Sequence, residues 1–376
     1  MLPLILLPLP ARAEIVVDCF RLRAPDNTRD IEQGSDLHYG RLGDRDGLWL
    51  DCDRNGRQSA GKIYLISPKT LQAAKPSAPI IADEEFTIVA PAEGWAAFNA
   101  ANKGAGDEPL ADLRRRVTPS EARGEEPFLD LEAITIAPSP TPPHEPRLFV
   151  VAEEPFSTVL ELVLQGHGPS AQARLAAAYT YPEKPEEQGS ARNDGLEGFA
   201  YAGRLGEFYF AEEATAPLNQ EPRSLVLFSV DPRLGRVRLD SGRAVIDTEI
   251  SDPLTAAIRK CRRGKMQTLN AITVLPDGRL LVVDRNGGWI DLVDPVQRTA
   301  QNWLNLYDLD GKSLRKVLDQ FPEQRKMPYV SIEGLAFDPT GALWLIDDPA
   351  MPEGWRESCM VRLTHLPPIP ASRPAP

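Results

Sequence analysis

The stretch SIEGLAFDPTGALWLIDDP, residues 331–349, decides the fold. Glu333 opens an alternating apolar run, Asp338-Pro339-Thr340-Gly341 carries turn chemistry, and a second apolar run climbs to Asp347-Asp348. Apolar alternation on both sides of a Pro- and Gly-containing turn predicts a β-hairpin. A hairpin does not by itself require carboxylates at both of its ends.

Nearly the same phrase is written upstream. DLEAITIAPSPTPPHEPRLFVVAEEP starts at Asp130, GLEGFAYAGRLGEFYFAEEA at Gly195 and LNAITVLPDGRLLVVDRNGG at Leu269. Each copy has an apolar residue, then Glu or Asn, a small residue, an alternating strand, a turn, and an apolar strand ending in acid. A looser copy, SDLHYGRLGDRDGLWLDCDRNG, places Ser35 in the Glu slot. The slots Glu132, Glu197, Asn270 and Glu333 are spaced 65, 73 and 63 residues apart. That period suits a four-stranded propeller blade carrying loops.

Between the copies, GKIYLISP, STVLELVLQG, SLVLFSVDP and WIDLVDP supply further strands for the outer half of a blade. The fold class expected is all-β: a single β-propeller over residues 14–366, with five or six four-stranded blades and a partly helical insertion near 91–127. EIVVDCFRL near the start and MVRLTHL near the end can complete one shared blade. The tail, residues 367–376, is too Pro-rich for regular structure and is expected to be disordered. Trp49, Trp289, Trp344 and Tyr209 fall in strands, as blade core.

In a blade that runs up and down, the start of the first strand and the end of the second lie at one end. Repetition around the ring therefore brings Glu132, Glu197, Asn270 and Glu333 to one channel mouth. Glu153, Glu212, Asp284 and Asp347 form a second layer behind them. Carboxylates crowded in this way repel unless protons or a cation intervene. An oxygen-only set that includes an amide suits calcium, which takes six to eight oxygens. The competing interpretation is architectural, with each Glu capping a strand by accepting backbone N–H groups. A second calcium candidate is DCDRNG, where Asp51, Asp53, Asn55 and Gly56 stand at EF-hand spacing. Lys62 replaces its bidentate Glu, and a blade end accounts for it better.

Composition narrows the function. The chain has 376 residues, 42% hydrophobic, with 36 prolines, 27 glycines and a net charge of −12. Phosphate recognition needs basic stripes, so nucleic acid is not a partner. LPLILLPLP followed by Ala-Arg-Ala predicts a signal peptide over residues 1–13, cleaved after Ala13, and a periplasmic or secreted protein without a membrane span in the mature chain. In that compartment Cys19, Cys52, Cys261 and Cys359 can form two disulfides, with three pairings open, Cys19–Cys359 among them as a ring closure. No Cys/His cluster suggests zinc, and no nucleophile elbow, P-loop or HExxH is present. His144 and His167 fall in Pro- or Gly-rich loops. His38, three residues past the Ser35 slot, is the histidine nearest the predicted mouth and a candidate general base, or else it packs on its strand.

The phrases Leu-Glu-Ala-Ile, Leu-Glu-Gly-Phe-Ala, Leu-Asn-Ala-Ile and Ile-Glu-Gly-Leu-Ala resemble those of the phytase-like (esterase-like activity of phytase) family and of the related SdiA-regulated propellers. The resemblance covers most of residues 30–365 and implies an exported propeller, in some members with calcium at the channel. Gluconolactonases and paraoxonases are more distantly similar, holding calcium with Glu, Asn and Asp at the corresponding place. Asn270 fits that mixture; Ser35 departs from it.

Two classes of function follow. One is a monomeric calcium-dependent hydrolase of a phosphoester, ester or lactone, with His38, Glu212 or Asp284 activating water. The other is a non-catalytic binding or scaffold propeller whose calcium is purely structural.

Overall fold

A computed structural model describes residues 14–53, 61–76, 78–103, 107–118, 129–139, 143–152, 158–168, 171–180, 196–204, 207–212, 227–230, 237–240, 243–246, 249–250, 269–284, 288–309, 314, 332–347 and 358–371. The fold is mostly β, built from short strands hydrogen-bonded to their sequence neighbours.

In chain order, β1 (Val16–Arg23) is followed by a first unit of β2 (Gly34–Leu42), β3 (Arg45–Cys52) and β4 (Lys62–Ile66). The two-residue β5 (Ile80–Ile81) pairs parallel to β1, and β6 (Glu84–Val89) completes the first unit against β4. The second unit is β7 (Leu131–Pro138), β8 (Pro146–Ala152), β9 (Thr158–Gln165) and β10 (Gln172–Thr180). Strand β10 lies parallel to β6, so these two units share one sheet. The third unit contains β11 (Leu196–Ala202), β12 (Glu207–Glu212) and β13 (Leu227–Val230). After it come the hairpin β14 (Val237–Asp240) and β15 (Arg243–Ile246), then β16 (Glu249–Ile250), which pairs with β13. The fourth unit is β17 (Leu269–Val274), β18 (Leu280–Asp284), β19 (Trp289–Asp294) and β20 (Thr299–Asn305). The fifth is β21 (Ile332–Phe337), β22 (Leu343–Asp347) and β23 (Cys359–Thr364), with β1 as its outer strand.

Strand β22 shows why the apolar runs are nearly continuous. Successive side chains point to opposite faces of a sheet. Leu343 and Leu345 enter a cluster shared with the fourth unit, whereas Trp344 and Ile346 enter one shared with the first. Both faces are covered, so both must be apolar. Other clusters join the first unit to the second, the second to the third, and the third to the fourth. The first strands follow the same order: β2 packs beside β7, β7 beside β11, β11 beside β17, β17 beside β21, and β21 beside β2.

The shared end unit forms as the sequence suggests, with Cys19 opposite Val361 in the β1–β23 register and a Cys19–Cys359 disulfide. Cys52 is a buried free thiol, so it does not take part in the second disulfide expected; Cys261 lies outside the described residues.

The insertion contains α2 (Trp95–Ala101) and α3 (Asp107–Val117), preceded along the chain by α1 (Pro68–Ala73). Phe98 of α2 and Leu110, Leu113 and Val117 of α3 enter the cluster between the first two units. The described part of the tail, residues 367–371, has no regular structure, as expected, yet it is packed. Leu366 and Ile369 pack against the core of the fourth and fifth units, and Arg279 donates from Nη1 to the Pro370 carbonyl at 2.6 Å. Proline's fixed φ keeps this segment extended without strand pairing.

Candidate metal and channel site

Every first strand carries a β-bulge at its slot residue. The pairing register shifts between Leu131 and Ala133, between Leu196 and Gly198, and between Ile332 and Gly334. The same shift occurs between Gly34 and Leu37 and between Leu269 and Ile272. A bulge leaves one residue out of the ladder and re-aims its side chain. Here those residues are Glu132, Glu197 and Glu333, with Ser35 and Asn270 inside the two wider shifts.

The five slots lie at one level. Ile134 N–H donates to Asp36 Oδ2 at 3.1 Å across β2 and β7. A Cβ on Gly198 would lie 2.5 Å from the Asn270 carbonyl oxygen. One on Gly334 would lie 2.6 Å from the Leu37 nitrogen. The small residue after the slot is thus required by close approach of the next first strand.

All five slot side chains are buried: Ser35 1%, Glu132 8%, Glu197 6%, Asn270 0% and Glu333 5% exposed. Both amide atoms of Asn270 and the Ser35 hydroxyl lack a hydrogen-bond partner among the described residues. A buried unsatisfied amide or hydroxyl costs about 1–3 kcal/mol, which a bound guest can relieve.

One carboxylate group is tight enough to hold a cation. Ligand atoms of Asp53, Asp130 and Glu132 lie within 4.8 Å of one another, and all three residues are buried. Glu132 is the slot of the second unit, Asp130 stands two residues before it, and Asp53 follows the end of β3. Glu197 and Glu333 occupy the equivalent slots of their own units and are not members of this group. An all-oxygen donor set of this kind fits a hard divalent cation.

The residues expected at EF-hand spacing diverge. Asp51 accepts the Asp36 backbone N–H on Oδ1 at 2.9 Å, while Asp53 joins the cluster, so the two serve different partners. Asn55 and Gly56 lie outside the described residues. Asp36 and Asp51 are fully buried neighbours. Burial, reinforced by the Asp51 charge, holds the Asp36 carboxyl well above its ordinary range. Burial likewise pushes Asp51 up to about 8.

His38 sits partly buried on β2, with Nδ1 3.5 Å from Thr135 Oγ1. Burial lowers its pKa to about 4, so the imidazole is neutral near pH 7. Glu212 and Asp284 end β12 and β18 opposite Leu196 and Leu269, beside the slots. Asp347 stands opposite Ile332 in the same manner and is fully buried. The side chains of Glu212 and Asp284, and Glu153 as a whole, lie outside the described residues.

Asp130 has no counterpart among the sequence candidates because it does not occupy the repeated slot, whereas Asp53 stood there as an EF-hand or blade-end position. Register decides for the blade end. Cys52 pairs with Gly34 as Ala152 pairs with Leu131, making Asp53 the first unit's counterpart of Glu153.

No curated protein matches the chain. Among solved structures it is similar to a luciferin-regenerating enzyme at 10% identity, covering 93% of this chain and 95% of that one with a TM-score of 0.43. It is also similar to a PQQ-bound aldose sugar dehydrogenase from Streptomyces coelicolor, at 11% identity, 93% and 99% coverage and a TM-score of 0.38. A streptogramin B lyase shares 10% identity over 94% of this chain and 99% of that one, with a TM-score of 0.35. The repeated Leu-Glu-small and Leu-Asn-small phrases, each now located at a bulge, fall within a family match that runs over residues 31–349. The chain belongs to the phytase-like family, described as esterase-like activity of phytase.

Proposed function

We propose that the chain is an exported, monomeric, five-bladed β-propeller that binds calcium and hydrolyses a phosphoester, ester or lactone at the slot end of its channel. The observation that carries this reading is the set of five bulged slot residues at one level, with the Asn270 amide buried and without a partner among the described residues. Five sheet units with a cluster at each junction support the blade count. The Cys19–Cys359 disulfide supports export, since such bonds persist in oxidising compartments.

Asp53, Asp130 and Glu132 would hold the calcium, with Glu197, Asn270 and Glu333 facing the same end of the channel. When bound, the ion supplies electrophilic polarisation of a substrate oxygen and offsets the charge of these carboxylates. The remaining work falls to the chain itself. His38, neutral and hydrogen-bonding towards Thr135, can take a proton from water. Glu212 and Asp284, ending second strands beside the slots, are the alternative bases. The aliphatic walls of neighbouring blades exclude bulk water from the slots.

The test has two arms. Calcium at a hundredfold excess over Kd should stabilise the wild type by about 2.7 kcal/mol, and a chelator should reverse the gain. Glu132→Gln should abolish most of that response. Phosphate release from phytate and hydrolysis of aryl esters and lactones should require calcium. A melt indifferent to calcium and chelator sinks the metal reading. A calcium response without any hydrolysis leaves a structural ion in a binding propeller.

A further inference from the structure

The turn end of the units, opposite the slots, holds a proline-rich segment that belongs to no strand. Strand β23 ends there, because Leu363 stands opposite Leu343, the first residue of β22. His365 then takes a left-handed conformation, with φ 57°, which histidine adopts more readily than branched residues do. The chain bends there into Leu366-Pro367-Pro368-Ile369-Pro370.

Leu366 and Ile369 pack against the core of the fourth and fifth units, while Pro368 and Pro370 are exposed. A polyproline II helix has three residues per turn, so positions 366 and 369 share one side of it. Such a helix makes no internal hydrogen bonds and proline has no N–H, so its backbone is recognised through its carbonyls. Arg279 supplies the donor, with Nη1 2.6 Å from the Pro370 carbonyl oxygen. Its Nε and Nη2 are held on Asp277 Oδ2 at 2.7 and 2.6 Å, and the residue is 8% exposed, so its direction is fixed. Trp303 and Phe337, with ring centroids 6.1 Å apart, pack on the same core and remain partly exposed.

We propose that the junction of the fourth and fifth units at the turn end is a recognition groove for a proline-rich, polyproline II segment with apolar residues three positions apart. The chain's own tail is its resident ligand, a strap that a foreign segment of the same chemistry must displace. Proline-rich ligands dock in this way because their backbone is already extended and loses little entropy on binding. The groove lies at the opposite end of the hairpins from the slots, so the inference does not depend on the metal and hydrolase reading. A terminus that only finished the fold could not be replaced from solution. A ligand in a groove can.

The experiment uses the full chain and a fluorescently labelled peptide of residues 364–371, read by anisotropy. Leu366→Ala with Ile369→Ala loosens the chain's own tail without removing it. That variant should bind the peptide roughly tenfold more tightly than the wild type, whose tail competes at an effective concentration on the order of millimolar. Adding Arg279→Ala should weaken the binding about tenfold, the loss of one charge-assisted hydrogen bond. A peptide carrying the same two alanines should not bind. Should the double variant fail to fold, Ile369→Ala alone takes its place. Binding by none of these chains overturns the proposal, as does binding left unchanged by Arg279→Ala or by the alanine peptide. Equal binding by the wild type and the double variant overturns the tail's place as the resident ligand.

Discussion

The two ends of the first-strand hairpins use the same residue types for opposite chemistry. At the turn end, Asp338 accepts from Thr340 N at 2.8 Å, Thr340 Oγ1 at 2.6 Å, Ala342 N at 3.1 Å and Trp344 Nε1 at 2.9 Å. Asp277 is likewise held by Arg279 Nε at 2.7 Å. At the slot end, by contrast, the polar groups are buried in bulges, and among the described residues Asn270 and Ser35 leave atoms unpaired. A satisfied aspartate at a turn finishes a fold. An incompletely satisfied, buried polar set at the opposite end points to a guest.

The strongest test of this contrast is Trp344→Ala. The side chain is fully buried between the fifth and first units, and its indole links that core to Asp338. Removing it should cost about 3–5 kcal/mol in urea unfolding while leaving calcium affinity unchanged. A large loss of affinity would mean that the two ends are not separable.

Next in size is the disulfide. Cys359 lies opposite Asp347 at the slot end, and its bond to Cys19 closes a loop with a sequence separation of 340. Cys19→Ser with Cys359→Ser should lower stability by about 2–4 kcal/mol. Unchanged denaturation midpoints would show that β1 holds to β23 without help. Denatured, non-reduced protein should retain the buried Cys52 as a titratable thiol.

Asp338→Ala should cost about 1–3 kcal/mol, because it removes the turn's acceptor and strands the buried Trp344 indole N–H. The loss should be the same with calcium and with chelator. A loss confined to chelator would break the comparison.

The smallest effect, taken per pH unit, is a slope. Asp51 titrates at about 8 in the folded protein against 3.8 when unperturbed, so the folded state binds more protons across that interval. Its stabilising contribution is complete below about pH 4 and declines as the pH rises towards 8. In chelator, stability should fall by up to about 1.4 kcal/mol per pH unit within that window, with Asp36 contributing in the same direction. Asp51→Asn should flatten the slope. His38 has the opposite sign, since its value is depressed to about 4 and stability is lost as the pH falls from 6.5 towards 4. A stability profile flat from pH 4 to 8 would contradict the buried-acid description of the slot end.

By itself the sequence determined the repeat, the hairpins and the partners at the two chain ends. Those features rest on local periodicity and turn chemistry, visible wherever Gly or Pro follows an alternating run. It also marked the slots Glu132, Glu197, Asn270 and Glu333, because one residue type recurring before a small one stands out at that spacing. Tertiary structure decided the rest. The bulges that re-aim the slot residues depend on cross-strand register, which a one-dimensional pattern does not contain. Asp53 and Asp130 meet Glu132 only because β3 ends beside the start of the neighbouring unit's first strand. The Pro-rich tail read as disorder because extended proline segments carry no internal pairing. The packing of its described part, through residue 371, comes from Arg279 and an apolar seam between two units, contacts made from far away in the chain.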